Sequence, residues 1–163
     1  MRIVRIENVG SLELHVIGDY EDERYFGTDA PYDFYLVTLD NKLLKGEPFF
    51  EEPTRAEVIA IAAANDLEEA QAEMKANGWQ LCGVRKCTRI AHFEVILYDV
   101  YTDIGDVFFK QDEICPYICR DHMTENEEKA SGVREPRGHI HYPFTNEYSA
   151  QGFTIYRPLD IAL

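Results

Sequence analysis

The residues best suited to chemistry in this chain are its four cysteines, which fall in two close pairs. The first is Cys82-Gly-Val-Arg-Lys-Cys87. The second is Cys115-Pro-Tyr-Ile-Cys119, followed at once by Arg-Asp-His122. Zinc takes four ligands in a tetrahedron, usually Cys thiolates and His nitrogens. Two ligands a few residues apart can wrap a turn around one ion, and Gly83 eases such a turn. Cys119 and His122 are three residues apart, so at the start of a helix they face the same way. Residues 121–130 have a helix-favouring composition. The partial positive charge of a helix start would help to keep Cys119 a thiolate. The chemistry expected is therefore structural metal binding, with zinc as the cofactor. Two plainer readings compete: small buried thiols, with Cys82 and Cys87 simply on a strand, and disulfides.

Between the pairs runs Thr88 to Ile114, which reads as two strands. A knuckle pair, a β-hairpin and a second pair at a helix start resembles the treble-clef zinc fold group, over about residues 80–130. The resemblance implies Cys82 and Cys87 as knuckle ligands and Cys119 and His122 as the helix-start ligands. Cys115 is then a spare, or it replaces His122. The pattern departs from the usual one in the four residues, rather than two, that separate Cys82 from Cys87. Because the group hosts many unrelated functions, it implies a metal and an architecture but no activity.

A second cluster lies downstream. His139 and His141 are two apart, so on a strand they share a face and could bind a metal or act as acid and base. Arg134, Arg137 and Tyr142 flank them, and an anion or phosphate could dock there. The simpler expectation is that the arginines pair with local acids. No phosphate-binding glycine loop and no Gly-x-Ser-x-Gly elbow occurs. A Cys119–His122 nucleophile and base pair is conceivable, but a second cysteine pair so near argues against it.

Charge narrows the partners. The chain of 163 residues carries a formal charge of -14. Residues 1–78 hold 7 Lys+Arg against 17 Asp+Glu, and residues 79–163 hold 9 against 13. Phosphate contacts need clustered cations, so direct nucleic-acid binding is not expected. The acidic half could attract a basic protein partner, although solubility is the simpler reading of the charge. Hydrophobic content of 45% is that of a folded protein. No apolar run reaches the roughly 18 residues of a membrane span. The opening Met-Arg-Ile-Val-Arg-Ile-Glu is too charged for a signal peptide, so a cytoplasmic, reducing location is expected, where paired cysteines favour metal or thiols.

The positioning elements follow from periodicity. Arg2–Glu7 and Leu12–Ile17 alternate as two strands around a turn near Gly10. The acidic, aromatic stretch from Gly18 to Asp33 reads as a long loop or a broken edge strand. Phe34–Leu39 is a strand, Asp40-Asn41-Lys42 a turn, and Leu43–Phe50 a short return strand limited by Pro48. Thr54 and Glu57 form a capping box ahead of an alanine-rich run. Asn65-Asp66 reads as a second cap, and Asn77-Gly78 as a helix stop, giving one kinked helix or two in series over 54–77. A helix-turn-helix DNA reader is rejected, because Glu68, Glu69 and Glu73 would repel phosphate. Trp79–Thr88 and Ala91–Tyr101 read as strands, Val107–Lys110 as a return strand, and Gly152–Tyr156 as a closing strand.

The fold class expected is α+β. An antiparallel sheet precedes the capped helical segment at 54–77. A second β-rich part follows, with a hairpin and a short helix. The whole is one domain or two subdomains, 1–78 and 79–163. The leading function is non-catalytic: a small cytoplasmic zinc-stabilised protein for protein interaction or regulation. One alternative is an acidic inhibitor or nucleic-acid mimic that occupies a basic groove. The other is a small enzyme or anion-binding protein using Arg134, Arg137, His139 and His141.

Overall fold

The computed structural model describes residues 2–21, 32–84, 86–99, 117–124, 140–141, 148–149 and 152–161. The fold is α+β, with antiparallel sheets and helices, among them two α-helices of ten residues each. The chain divides into two compact units, Met1–Trp79 and Gln80–Ile161.

The first unit begins with a four-stranded antiparallel meander in the order β1-β2-β3-β4. Its strands are β1 (Arg2–Val9), β2 (Leu12–Asp19), β3 (Phe34–Leu39) and β4 (Lys42–Leu43). Leu14 and Val16 of β2 and Val37 of β3 are buried, and Val16 lies directly opposite Val37. Hydrophobic burial of one sheet face thus sets the register. The turn into β4 places both Asp40 and Asn41 at positive φ, 51° and 64°. That conformation matches the right-handed twist of the strands it joins, and Asp and Asn tolerate it best after glycine. The return strand is shorter than expected. Only Lys42–Leu43 pairs continuously, and Phe49 rejoins Tyr35 through a single bridge. Asn65 explains the gap: its side chain accepts from Lys45 N–H and donates to Lys45 C=O, both at 2.9 Å. These bonds occupy the backbone groups that Lys45 would offer to a ladder.

The helical segment forms two helices, α1 (Arg55–Ala64) and α2 (Glu68–Asn77). The capping box is present in both directions. Glu57 N–H donates to Thr54 Oγ1 at 3.2 Å, and Thr54 N–H donates to Glu57 Oε1 at 3.0 Å. Ala56 and all residues from Val58 to Ala63 are buried, which suits a helix short of polar side chains. The second helix does not start as expected. Its N-cap is Leu67, with no side-chain cap, and Asp66 sits at φ 65° between the helices. The side chain of Asn65 is used elsewhere, on Lys45 and on Ile61 C=O. Ala70 and Met74 form the buried face of α2, and Gly78 closes it at φ 71°.

In the second unit β5 (Phe93–Asp99) lies between β6 (Tyr117–Ile118) and β9 (Gly152–Pro158), antiparallel to both. A separate ladder joins β7 (Ile140–His141) and β8 (Tyr148–Ser149). The closing strand runs on through Pro158, opposite Phe93 at the end of the ladder. The expected strand from Trp79 to Thr88 is not formed. Leu81 and Ile90 make one antiparallel bridge, and the described residues between them lie outside any strand. Cys87 N–H turns back to Val84 C=O at 3.0 Å, and Lys86 takes φ 68°. This closure turns the two cysteines inward rather than spacing them along a strand. The expected return strand at Val107–Lys110 lies outside the described residues; β5 finds its described neighbours in β6 and β9.

Candidate metal centre

A small core organises the second unit. Cys82, Ile118 and Cys119 are buried, with Val84, Cys87, Phe93, Met123 and Tyr156 packed against them. Phe93 and Tyr156 meet edge to face, ring centres 6.5 Å apart. Ile118 and Cys119 enter this core because β6 pairs with β5, Phe93 opposite Ile118. Immediately after Cys119 the chain turns helical over residues 120–124. Met123 N–H donates to Cys119 C=O at 2.9 Å, the spacing of a helical turn. That turn swings His122 back over Cys119.

The loop from Cys82 to Cys87 is pinned at three points. Cys82 N–H donates to Arg89 C=O at 2.9 Å, Gly83 N–H to Tyr117 C=O at 2.9 Å, and Ala91 N–H to Gln80 C=O at 2.8 Å. The second bond ties the loop to β6, and so to the segment that carries Cys119.

Four donor atoms meet as a result. Those of Cys82, Cys87, Cys119 and His122 all lie within 4.8 Å of one another. His122 Nδ1 is 3.2 Å from Cys119 Sγ and 3.6 Å from Cys82 Sγ. Cys87 Sγ is 3.9 Å from Cys119 Sγ. Tetrahedral zinc with Zn–S near 2.3 Å and Zn–N near 2.0–2.1 Å needs about 3.8 Å between sulfurs and about 3.6 Å between sulfur and nitrogen. The 3.6 Å and 3.9 Å separations match these values, and the Cys119–His122 separation of 3.2 Å is shorter. A disulfide would need about 2.05 Å, so Cys87 and Cys119 are not bonded, and all three cysteines are free thiols.

The electrostatics of the cluster are those of protons shared among sulfurs. Hydrogen bonds from the Cys119 and Cys82 thiols hold Cys87 down to about 3, against the opposing effect of burial. The Arg89 backbone N–H also donates to Cys87 Sγ, and the positive charge of Arg89 acts in the same direction. Cys82 moves the other way. Its hydrogen bonds to Cys119 and Cys87, followed by burial, push its thiol well above the ordinary range. The Cys119 backbone N–H donates to Cys82 Sγ and partly offsets this. Gathering sulfurs and an imidazole in a core where Cys82 is 5% and Cys119 2% exposed crowds together groups that gain most from a shared cation.

Sequence reasoning placed Cys82, Cys87, Cys119 and His122 in one set, and the structure brings those four together. The alternative ligand Cys115 lies outside the described residues, as do Arg134, Arg137 and His139. His141 lies in β7, opposite Tyr148. Three supporting groups went unnoticed: the backbone N–H groups of Arg89 and Cys119, and the side chain of His92, which accepts from Arg120 N–H at 3.1 Å. No sequence signal distinguishes His92 from any other polar residue beside a strand.

Comparison with known protein families, with curated proteins and with solved structures returns no match. Among the described residues, no helix is long and apolar enough to cross a membrane.

Proposed function

We propose that Cys82, Cys87, Cys119 and His122 hold a structural zinc ion, and that the protein serves in protein interaction or regulation rather than catalysis. The observation that carries this reading is the convergence of four donor atoms, from two distant segments, within 4.8 Å of one another. Three thiolates and one imidazole favour zinc over harder ions such as magnesium or calcium. Four protein ligands close the coordination shell and leave no position for a substrate, which supports a structural role. The ion would clamp the 82–87 loop to the segment beginning at β6, adding to the Gly83–Tyr117 backbone bond and the packing of Cys82 on Ile118 and Cys119.

We read the local architecture as treble-clef-like. In support, β5 and β6 are antiparallel neighbours between the two ligand pairs, and a helical turn carries the second pair. The free thiols of Cys82, Cys87 and Cys119 support a reducing, cytoplasmic setting. A basic protein partner is favoured by the net charge of -14.

The test is metal content. Protein purified without added metal or a polyhistidine tag is analysed beside a Cys82→Ser/Cys119→Ser double variant. Zinc near one per chain, lost in the variant together with thermal stability, supports the site. Absence of metal from folded wild-type protein, with its thiols freely titratable, overturns it.

A further inference from the structure

Cys119 is held from both sides by one residue. His92 N–H donates to the C=O of Ile118 at 2.9 Å, and Arg120 N–H donates to His92 Nδ1 at 3.1 Å. The first bond fixes the peptide group before Cys119, and the second fixes the one after it. The orientations of these two peptide planes are the φ and ψ of Cys119 itself. They determine where its Cα–Cβ bond points, and so the few positions that the χ1 rotamers leave to Sγ. His92 is anchored in turn, because Leu159 N–H donates to its C=O at 2.8 Å and the next residue, Phe93, pairs with Ile118 in the core.

We propose that His92 is the positioning residue of the metal centre: by bracketing Cys119 it sets that sulfur among Cys82, Cys87 and His122. This rests on the zinc reading given above. Cys119 is the natural member to control. Its Sγ lies 3.2 Å from His122 Nδ1 and 3.9 Å from Cys87 Sγ, so it touches both the imidazole and the loop. Since the Arg120 amide is the donor, Nδ1 of His92 acts as acceptor, and the neutral ring carries its hydrogen on Nε2. The same bond satisfies one of the orphan N–H groups at the start of the helical turn. Outer partners that orient ligands commonly matter about 10–100-fold in metal affinity.

The test uses the full chain and three substitutions. Asn places its side-chain oxygen about where Nδ1 stands, Gln reaches further, and Leu keeps volume without an acceptor. Zinc affinity is measured by competition with a chromophoric chelator. The site geometry is read from the absorption of the cobalt(II)-substituted protein. His92→Leu and His92→Gln are expected to weaken zinc by about 10-fold or more and to change the cobalt spectrum. His92→Asn is expected to restore both.

A merely structural residue would lower the melting temperature of the variants and leave the cobalt spectrum alone. Unchanged affinity and spectrum in folded His92→Leu would overturn the proposal. Should that variant not fold, His92→Gln decides: binding equal to that of His92→Asn would show that acceptor position is immaterial. Wild-type protein that takes up neither zinc nor cobalt would remove the metal reading itself. Metal-loaded wild type with indifferent His92 variants would remove only this inference.

Discussion

Cys82 and His122 are forty residues apart in the chain, yet Sγ of one lies 3.6 Å from Nδ1 of the other. The hydrogen bond from Gly83 N–H to Tyr117 C=O, in β6, brings their segments together. The β5–β6 ladder then delivers Cys119 and His122 to the same place. A structural ion at this point would convert a long-range loop closure into a strong local restraint.

Metal removal should therefore act on stability. With free zinc at about 100 times its dissociation constant, the bound form gains about 2.7 kcal/mol over the apoprotein. Thermal melting with and without a strong chelator checks this. The chelator should lower the midpoint of wild-type protein and leave the Cys82→Ser/Cys119→Ser variant where it is. Equal shifts in both, or none in either, would count against a structural ion.

Acid should release the metal. Binding requires His122 neutral and the three sulfurs deprotonated, so protons compete with the ion. For Cys82, whose thiol is pushed well up, the ion must displace a tightly held proton. Cys87 is held down to about 3 by its neighbours and yields its proton readily. Apparent zinc affinity should therefore rise steadily with pH through the neutral range. Proton release on zinc addition, measured by calorimetry in buffers of different ionisation enthalpy, checks the direction.

Glu69 should contribute to an acid-side loss of stability in the first unit. Ser11 Oγ donates to its carboxylate at 2.7 Å, and Ser11 N–H donates at 3.1 Å. These bonds hold Glu69 below the ordinary carboxylate value. A folded value below the unfolded one means stability that is present above the unfolded value of about 4.3 and is lost as pH falls through the folded value. Glu69→Gln should accordingly be less stable than wild type at pH 7, with the two converging at low pH. Denaturant midpoints along a pH series would show it. The same turn carries Gly10 at φ 59°, where an added Cβ would lie 3.0 Å from Glu69 Oε1. Gly10→Ala should cost about 1–2 kcal/mol from the left-handed backbone alone.

Thr54→Ala should lower the stability of the first unit by about 1 kcal/mol, by removing the acceptor for Glu57 N–H. Thr54→Ser should recover most of it. The denaturant midpoint should move while the slope of the transition stays constant.

Short-range features were legible because their causes are short-range. The Thr54–Glu57 box spans three residues, and Gly78 ends α2 through its own backbone freedom. The alternation of β2 and β3 is set by which face of the pleat is dry. Asn65 shows where this stops. Its composition suited an N-cap, yet it serves as C-cap of α1 and as the clamp on Lys45, twenty residues earlier.

The sequence alone determined the α+β class, the start of α1 and the stop of α2, and the residue types capable of taking a metal. Only the tertiary structure decided that residues 82–87 close into a loop instead of a strand, that β5 lies between β6 and β9, and that His92 brackets Cys119. The reason is physical. A cap or a turn is settled by the dihedral angles of a few neighbours. The meeting of Cys82 with His122, or of His92 with both peptides around Cys119, depends on which distant strands pair and on the core they share, and no local pattern records that.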